Sequence, residues 1–265
     1  MTKTTSMISM RRLGKVWNPG TPKALTAIED LDLEVEAGEF VVLLGPSGCG
    51  KSSLLYMVAG LEPPSSGELL CEGLPVTGPA PDRGMIFQEA SLYPWLTIAD
   101  NVAFGLKLAG MPAPQREARA LELLRKVGLG DAASKRPEEL SGGMRQRVAL
   151  ARALSMQPKV LMMDEPFAAL DVQTRAKMQG HLLEIWRTSQ ASVLLVTHSI
   201  EEALALADRI VVFTARPGRI KEIVPVDLPR PRASRDARYI ALQQHLADLL
   251  ADEVDRAFLE QEAAL

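Results

Sequence analysis

Residues 40 to 61, FVVLLGPSGCGKSSLLYMVAGL, limit the possible folds of this chain more than any other stretch. The apolar run FVVLL stops at Gly45, and Gly45, Gly50, Lys51 and Ser52 then satisfy G-x-x-x-x-G-K-[ST], the phosphate-binding loop (P-loop) pattern. SSLLYMVAGL follows with the residues of a helix. Glycines let successive backbone N–H groups turn toward one point, and the N-terminus of the helix adds a partial positive charge. The run Gly45, Pro46, Ser47, Gly48, Cys49, Gly50, Lys51, Ser52 and Ser53 is therefore a candidate cradle for the phosphates of a nucleotide. Lys51 reaches the β and γ phosphates in this reading, and the Ser52 hydroxyl takes one position on Mg²⁺.

Three further apolar runs match the first: KVLMMDE (159–165), SVLLVTH (192–198) and DRIVVF (208–213). Such runs suit parallel strands covered on both faces, with helices as crossovers, which is an α/β core. ALTAIEDLDLEVEAGE, ahead of the loop, reads as antiparallel strand material closed by a Gly turn. In the middle, TIADNVAFGLKLAG, PQREARALELLRKVGL and SGGMRQRVALARALSM are successive amphipathic helices with no strand between them. They predict a helical subdomain inserted at about 90–156. From Arg235 onward, Leu242, Leu246, Leu249, Leu250, Val254 and Phe258 recur at helical intervals. That face packs either on its own domain or against a second copy.

Composition removes several classes of function. A formal charge of -3 gives no electrostatic reason for a nucleic-acid partner. The basic clusters RPGR and LPRPRASR are short and mixed with proline, as solvated loops are. No apolar run approaches the roughly 20 residues needed to span a bilayer. MTKTTSMISMRRLG lacks the apolar centre of a secretion signal, so a cytoplasmic location is expected. Cys49 and Cys71 have no metal-binding spacing, and no disulfide is expected in a reducing compartment.

Two more stretches carry chemistry. VLMMDEP ends an apolar strand on Asp164 and Glu165, a costly place for carboxylates without a cation or a proton to handle. Asp164 suits the Mg²⁺ shell, through water, and Glu165 suits a base that polarises an attacking water. LSGGMRQR (140–147) then sets Ser141, Gly142 and Gly143 at a helix N-terminus, a second anion-binding element in a chain that already has one.

With these elements in place, the chain from about Met7 to about Arg230 resembles the nucleotide-binding domains of ATP-binding cassette (ABC) transporters. LSGGMRQR is similar to that family's signature motif. The resemblance implies a P-loop NTPase fold of ABC type, with an inserted helical subdomain and an antiparallel β subdomain. It also implies a head-to-tail homodimer in which each ATP is held by the phosphate loop of one subunit and by Ser141, Gly142 and Gly143 of the other. Further roles carry over by position. Gln88 in MIFQE matches the glutamine that senses Mg²⁺ and the attacking water. Asp171 in FAALD matches the loop linking the two ATP sites. His198 in LLVTHS matches the histidine that contacts the γ phosphate. Trp17 stands where the family has an aromatic, usually Tyr, that stacks on adenine.

Two positions depart from the pattern. Ser199 follows the histidine where many importers have Asp, and Cys49 lies inside the phosphate loop. Helix N-termini lower thiol pKa, so Cys49 is expected to be reactive and protected by ATP. GPAPDRGMIFQEASLYPWLTIADNVAFGLKLAG, DEPFAALD and ARPGRI are similar to the nitrate, sulfonate and taurine importers. LYPW, in a loop opening a helix, reads as a docking surface for a membrane subunit, with burial of Leu92 and Trp95 in the helical subdomain as the alternative.

That resemblance implies two membrane permease subunits, a periplasmic substrate-binding protein and a peripheral position on the cytoplasmic face of a bacterial inner membrane. The domain division it suggests is an ATPase domain over 1–230 and a helical tail over 231–265, with no large C-terminal regulatory domain. A soluble ABC ATPase, for example in cluster assembly, is the rival reading.

Overall fold

The computed structural model describes residues 6–168 and 170–263. The chain forms two compact units, Met1–Ala80 with Ser192–Leu265 and Pro81–Ala191. The first unit begins with β1 (Ser6–Trp17), β2 (Leu25–Glu36), β3 (Phe40–Leu44), α1 (Lys51–Ala59), β4 (Ser66–Cys71) and β5 (Leu74–Pro75). The second holds β6 (Arg83–Ile86), α2 (Ile98–Leu108), α3 (Ala113–Lys126), α4 (Gly142–Ser155), β7 (Val160–Asp164) and α5 (Val172–Ser189). The chain then returns to the first unit for β8 (Ser192–Thr197), α6 (Ile200–Leu206), β9 (Arg209–Phe213), β10 (Ile220–Pro225) and α7 (Ala237–Ala263).

In the first unit, β3 lies parallel between β8 and β9, and β10 pairs antiparallel with β9. All five residues of β3 and all six of β8 are buried, which accounts for their uninterrupted apolar sequence. A separate antiparallel sheet has the order β2-β1-β4-β5. The 25–36 strand followed by a turn at Gly38 (φ 75°) is present as expected. β1 is its partner, a strand hard to read from its residues because its alternation is broken by Arg11, Arg12 and Lys15.

LPRPRASR is a loop, but two of its arginines are not solvated. Arg230 donates to the Leu206 carbonyl and pairs with Asp208 at 2.8 Å. Arg232 donates to the Leu204, Leu228 and Val226 carbonyls, and burial pulls its pKa down to about 10. The bonds to Leu204 and Leu206 satisfy carbonyls left open at the end of α6.

The second unit pairs β6 parallel with β7 and stacks α2, α3 and α4 on one another. Val102, Leu106, Leu123, Leu124, Val148 and Leu154 fill the space between these helices. Thr97 caps α2 by accepting the Asp100 N–H at 3.0 Å, and Ser141 caps α4 by accepting the Met144 N–H at 3.3 Å.

In α7, Tyr239, Leu246 and Leu250 are buried against the first unit, where the helix packs on α6 and β9. The expected apolar face ends there. Val254 is 51% exposed and Phe258 60%, while Glu253 turns inward at 2%.

Candidate functional site

β3 delivers the chain to the phosphate loop, and Gly50, with φ 101°, is the N-cap of α1. Gly48 is also left-handed, at φ 79°. Positive φ at these two positions alternates the backbone so that N–H groups converge, the concavity expected for an anion. Gly50 could not be another residue, since a Cβ there would lie 2.5 Å from the Ala27 carbonyl oxygen.

Lys51 is 5% exposed, and its Nζ donates to the Gly45 oxygen at 2.8 Å and the Pro46 oxygen at 2.7 Å. Those partners are neutral. A buried ammonium without a carboxylate is costly, and a phosphate is the group that would neutralise it.

Cys49 corrects the expectation of a reactive thiol. It is 1% exposed, and burial pushes its pKa up, outweighing the nearby Lys51 charge. Desolvation wins although the Lys51 ammonium stands 3.5 Å from the sulfur, because the thiol is buried. Neither cysteine is in a disulfide among the described residues.

Trp17 ends β1, and its Nε1–H donates to the Ser53 Oγ at 3.2 Å, fixing the indole to the first turn of α1. Lys15 Nζ stands 4.3 Å from the ring centroid and is itself held by the Glu62 carboxylate and the Pro63 oxygen, both at 2.9 Å. A Tyr at this position has no ring N–H to make the bond to Ser53, which gives the departure from the family pattern a structural meaning.

His198 follows β8 directly and is exposed. The pairing of Leu44 with Thr197 sets it beside Gly45 at the carboxyl edge of the sheet, where ligands of open α/β sheets bind. Ser199 accepts the Glu202 N–H at 3.3 Å, so it serves as the N-cap of α6. Beneath it the buried Glu202 accepts from the Thr197 hydroxyl at 2.6 Å.

In the second unit, the pairing of β6 with β7 ends at Ile86 and Met163, and Gln88, Asp164 and Glu165 follow within two residues of that end. Asp164 is buried, while Gln88 is exposed. Glu165 has φ 45°, a conformation costing a non-glycine residue roughly 1–2 kcal/mol and common where a side chain is aimed for function.

The two signature glycines differ. A Cβ on Gly143 would lie 2.9 Å from Leu170 Cδ2, so a side chain there would push the end of Leu170 aside. A Cβ on Gly142 would meet only Arg145 Nη2, at 4.0 Å, so packing leaves that glycine unexplained and a ligand approaching the backbone would explain it. Asp171 caps α5, accepting from the Thr174 N–H at 3.0 Å and the Gln173 N–H at 3.1 Å, and the bonds from Thr174 hold its pKa below the usual value.

The donors proposed for Mg²⁺ are the Ser52 hydroxyl, the Gln88 amide and the Asp164 carboxylate, oxygen ligands of the kind this ion takes. Among the described residues no group of three His, Cys, Asp or Glu forms a metal cage. Few protein ligands suit a cation whose remaining positions go to water and phosphate.

Asn101 was not singled out by the sequence, yet it organises the LYPW loop. Fully buried, it accepts the Tyr93 N–H at 2.8 Å and donates to the carbonyls of Tyr93, Leu96 and Thr97. Arg152 holds the Ser91 and Ala90 carbonyls at 2.8 and 2.9 Å. On this support Leu92 is half-buried and Trp95 is 66% exposed, which favours the docking reading over burial. A polar residue on the buried face of α2, beside Ile98, Val102 and Leu106, was the available signal for Asn101.

Residues 28–168 match the family described as ABC transporter. The chain is 48% identical, over 86% of its length and 85% of the relative's, to the uncharacterized ABC transporter ATP-binding protein MJ0412 of Methanocaldococcus jannaschii. It is 47% identical, over 90% of each chain, to the taurine import ATP-binding protein TauB of Burkholderia thailandensis. Identity is 48%, over 79% of each chain, to the nitrate import ATP-binding protein NrtD of Synechocystis. Among solved structures it resembles the dimeric post-hydrolysis state of the ATP-binding cassette MJ0796 bound to ADP and Pi. The TM-score is 0.76 at 30% identity, covering 84% of this chain and 100% of that one. Among the described residues no helix is long and apolar enough to cross a membrane.

Proposed function

We propose, starting from the fact that this chain belongs to the ABC transporter family, that it is the ATP-hydrolysing subunit of an importer for a small anion such as taurine, another sulfonate or nitrate. The cassette fold itself is common ground with its relatives. The observation that carries the reading is the phosphate loop, with its left-handed glycines and the buried Lys51 ammonium, which donates to the neutral Gly45 and Pro46 oxygens.

In this reading ATP stacks its base on Trp17 and lays its phosphates along residues 45–53. Mg²⁺, bound by Ser52, Gln88 and Asp164, would spread the phosphate charge. Glu165 takes the proton of the attacking water, and His198 donates to the γ phosphate. Ser141, Gly142 and Gly143 present N–H groups to the nucleotide of a second copy, so ATP favours a closed homodimer and hydrolysis reopens it. The dimeric cassette MJ0796 with ADP and Pi supports this arrangement by similarity. The cassette proper is taken as 1–230, with a helical subdomain at about 90–156 and a tail over 231–265.

Two permease subunits dock on the LYPW loop, and a periplasmic binding protein supplies the anion. That assembly puts the chain at the cytoplasmic face of a bacterial inner membrane. The test is ATPase activity of the chain reconstituted in lipid with its permease and binding protein, with taurine, an alkanesulfonate and nitrate offered in turn. Stimulation by one of them identifies the cargo. No stimulation and no association with a permease would overturn the importer reading.

A further inference from the structure

Glu253 is a buried carboxylate that none of the chemistry above uses. It lies on α7, its side chain 2% exposed, and accepts the Ala215 N–H at 2.9 Å and the Lys221 ammonium at 2.8 Å. Lys221 also donates to the Leu249 oxygen at 2.8 Å, so α7 grips the β9–β10 connection at two levels. Burying an ion pair of this kind is weak evidence for stability, since desolvation consumes most of the attraction. Its value lies in what it holds.

Ala215 is the second residue of the tight loop 214–219. Thr214 closes that loop, its N–H donating to the Arg219 oxygen and its hydroxyl to the Pro217 oxygen, each at 3.0 Å. From this loop the Gly218 N–H donates to the Ala27 oxygen at 2.9 Å, and the Gly218 oxygen accepts the Glu29 N–H at 3.1 Å. Gly218 also presses on the phosphate loop, because a Cβ there would lie 2.1 Å from the Cys49 oxygen. On the same side, a Cβ on Gly45 would stand 3.0 Å from the Phe213 Cβ. Residues 213–218 are thus the outer wall of the loop that cradles phosphate.

We infer that Glu253 is a positioning residue for the nucleotide: through Ala215 and Gly218 it fixes the backbone of the phosphate loop, so the C-terminal helix belongs to the ATP site. The inference rests on the proposed ATP reading and deepens it. Sub-ångström placement of N–H donors sets phosphate affinity, so release of the wall weakens binding before it affects the chemistry.

The test is the nucleotide Kd, by titration with a fluorescent ATP analogue, together with KM and kcat for ATP, on the full chain and three variants. E253A should raise Kd and KM roughly tenfold, as expected for removal of a charged buried acceptor, with kcat within about twofold of the parent. E253Q, which keeps an acceptor for the Ala215 N–H, should fall between them. L246A removes a fully buried side chain from the same helix and should lower the melting midpoint while leaving Kd within about twofold.

Parent-like Kd in E253A, or an equal loss in L246A, would overturn the inference. If E253A does not fold, a parent-like Kd in E253Q does so instead. Failure of the parent itself to bind the analogue would count against the ATP reading.

Discussion

Substituting alanine for each signature glycine in turn separates a packing requirement from a ligand requirement. Gly142 stands at the first position of α4, exposed, with nothing nearer to its missing Cβ than an Arg145 nitrogen at 4.0 Å. Replacing glycine by alanine in a helix gains up to about 1 kcal/mol, and about half of that at an exposed first position. For a chain of this size, G142A should therefore melt roughly 1–2 °C above the parent.

Its ATPase should fall, because in the proposed dimer the new methyl would stand where the γ phosphate of the other copy's nucleotide approaches the backbone. Loss of one preorganised N–H donor costs on the order of a hundredfold in kcat. G143A behaves differently. Its methyl would sit 2.9 Å from Leu170 Cδ2, and overpacking of that kind costs about 1–3 kcal/mol, so this variant should melt several degrees lower. Thermal melts and steady-state ATP hydrolysis on the two proteins decide the matter. A G142A that is fully active, or that melts well below the parent, refutes the reasoning.

E165Q should bind ATP and accumulate as a dimer on size exclusion while turnover drops at least about a hundredfold; hydrolysis at the parent rate would remove Glu165 as the base. Because burial raises the Cys49 pKa, the thiolate is scarce near neutral pH. Alkylation should then be slow with or without ATP and should speed up only above the ordinary thiol value of 9.0, as a mass-spectrometric time course across pH would show. N101A removes the acceptor of the Tyr93 N–H and the side-chain donor to the Tyr93, Leu96 and Thr97 carbonyls, of which the first and last keep backbone donors. It should cost about 2–4 kcal/mol in denaturant unfolding and abolish co-purification of a permease, while the isolated chain keeps its ATPase.

The elements that sequence made plain are those whose environment is uniform. β3, β7 and β8 are buried along their whole length, so an unbroken apolar run defined each of them to within a residue. The helices α2, α3 and α4 showed themselves by periodicity. Strands with mixed surroundings did not. β4 carries Ser66, Gly67 and Glu68 on its exposed half, and β10 alternates Lys221 and Glu222 with Ile223, so neither has a pattern to read.

The phosphate loop and the Asp164–Glu165 step were legible because rare residue types stand at fixed spacing. Supporting contacts were not, since each joins residues far apart in sequence: Lys15 to Glu62, Arg152 to Ser91, Glu253 to Ala215. The Cys49 error has the same origin. Proximity to a helix N-terminus is visible in sequence, while the burial of the thiol is not.

Strand pairing acts as a ruler for the chemistry. Gly45 comes one residue after the last pair of β3, His198 one after that of β8, and Gln88 two after that of β6. Side chains alternate faces with a period of two, so one inserted residue between a strand's pairing and its functional group would turn that group away and shift it by about 3.3 Å. The turn at Gly110, where nothing approaches, has no such gauge. Length changes in this chain are therefore tolerable in the connections between helices and ruinous within a step of a strand's end, which gives anyone grafting a new loop or tag a map of where the molecule counts its residues and where it does not.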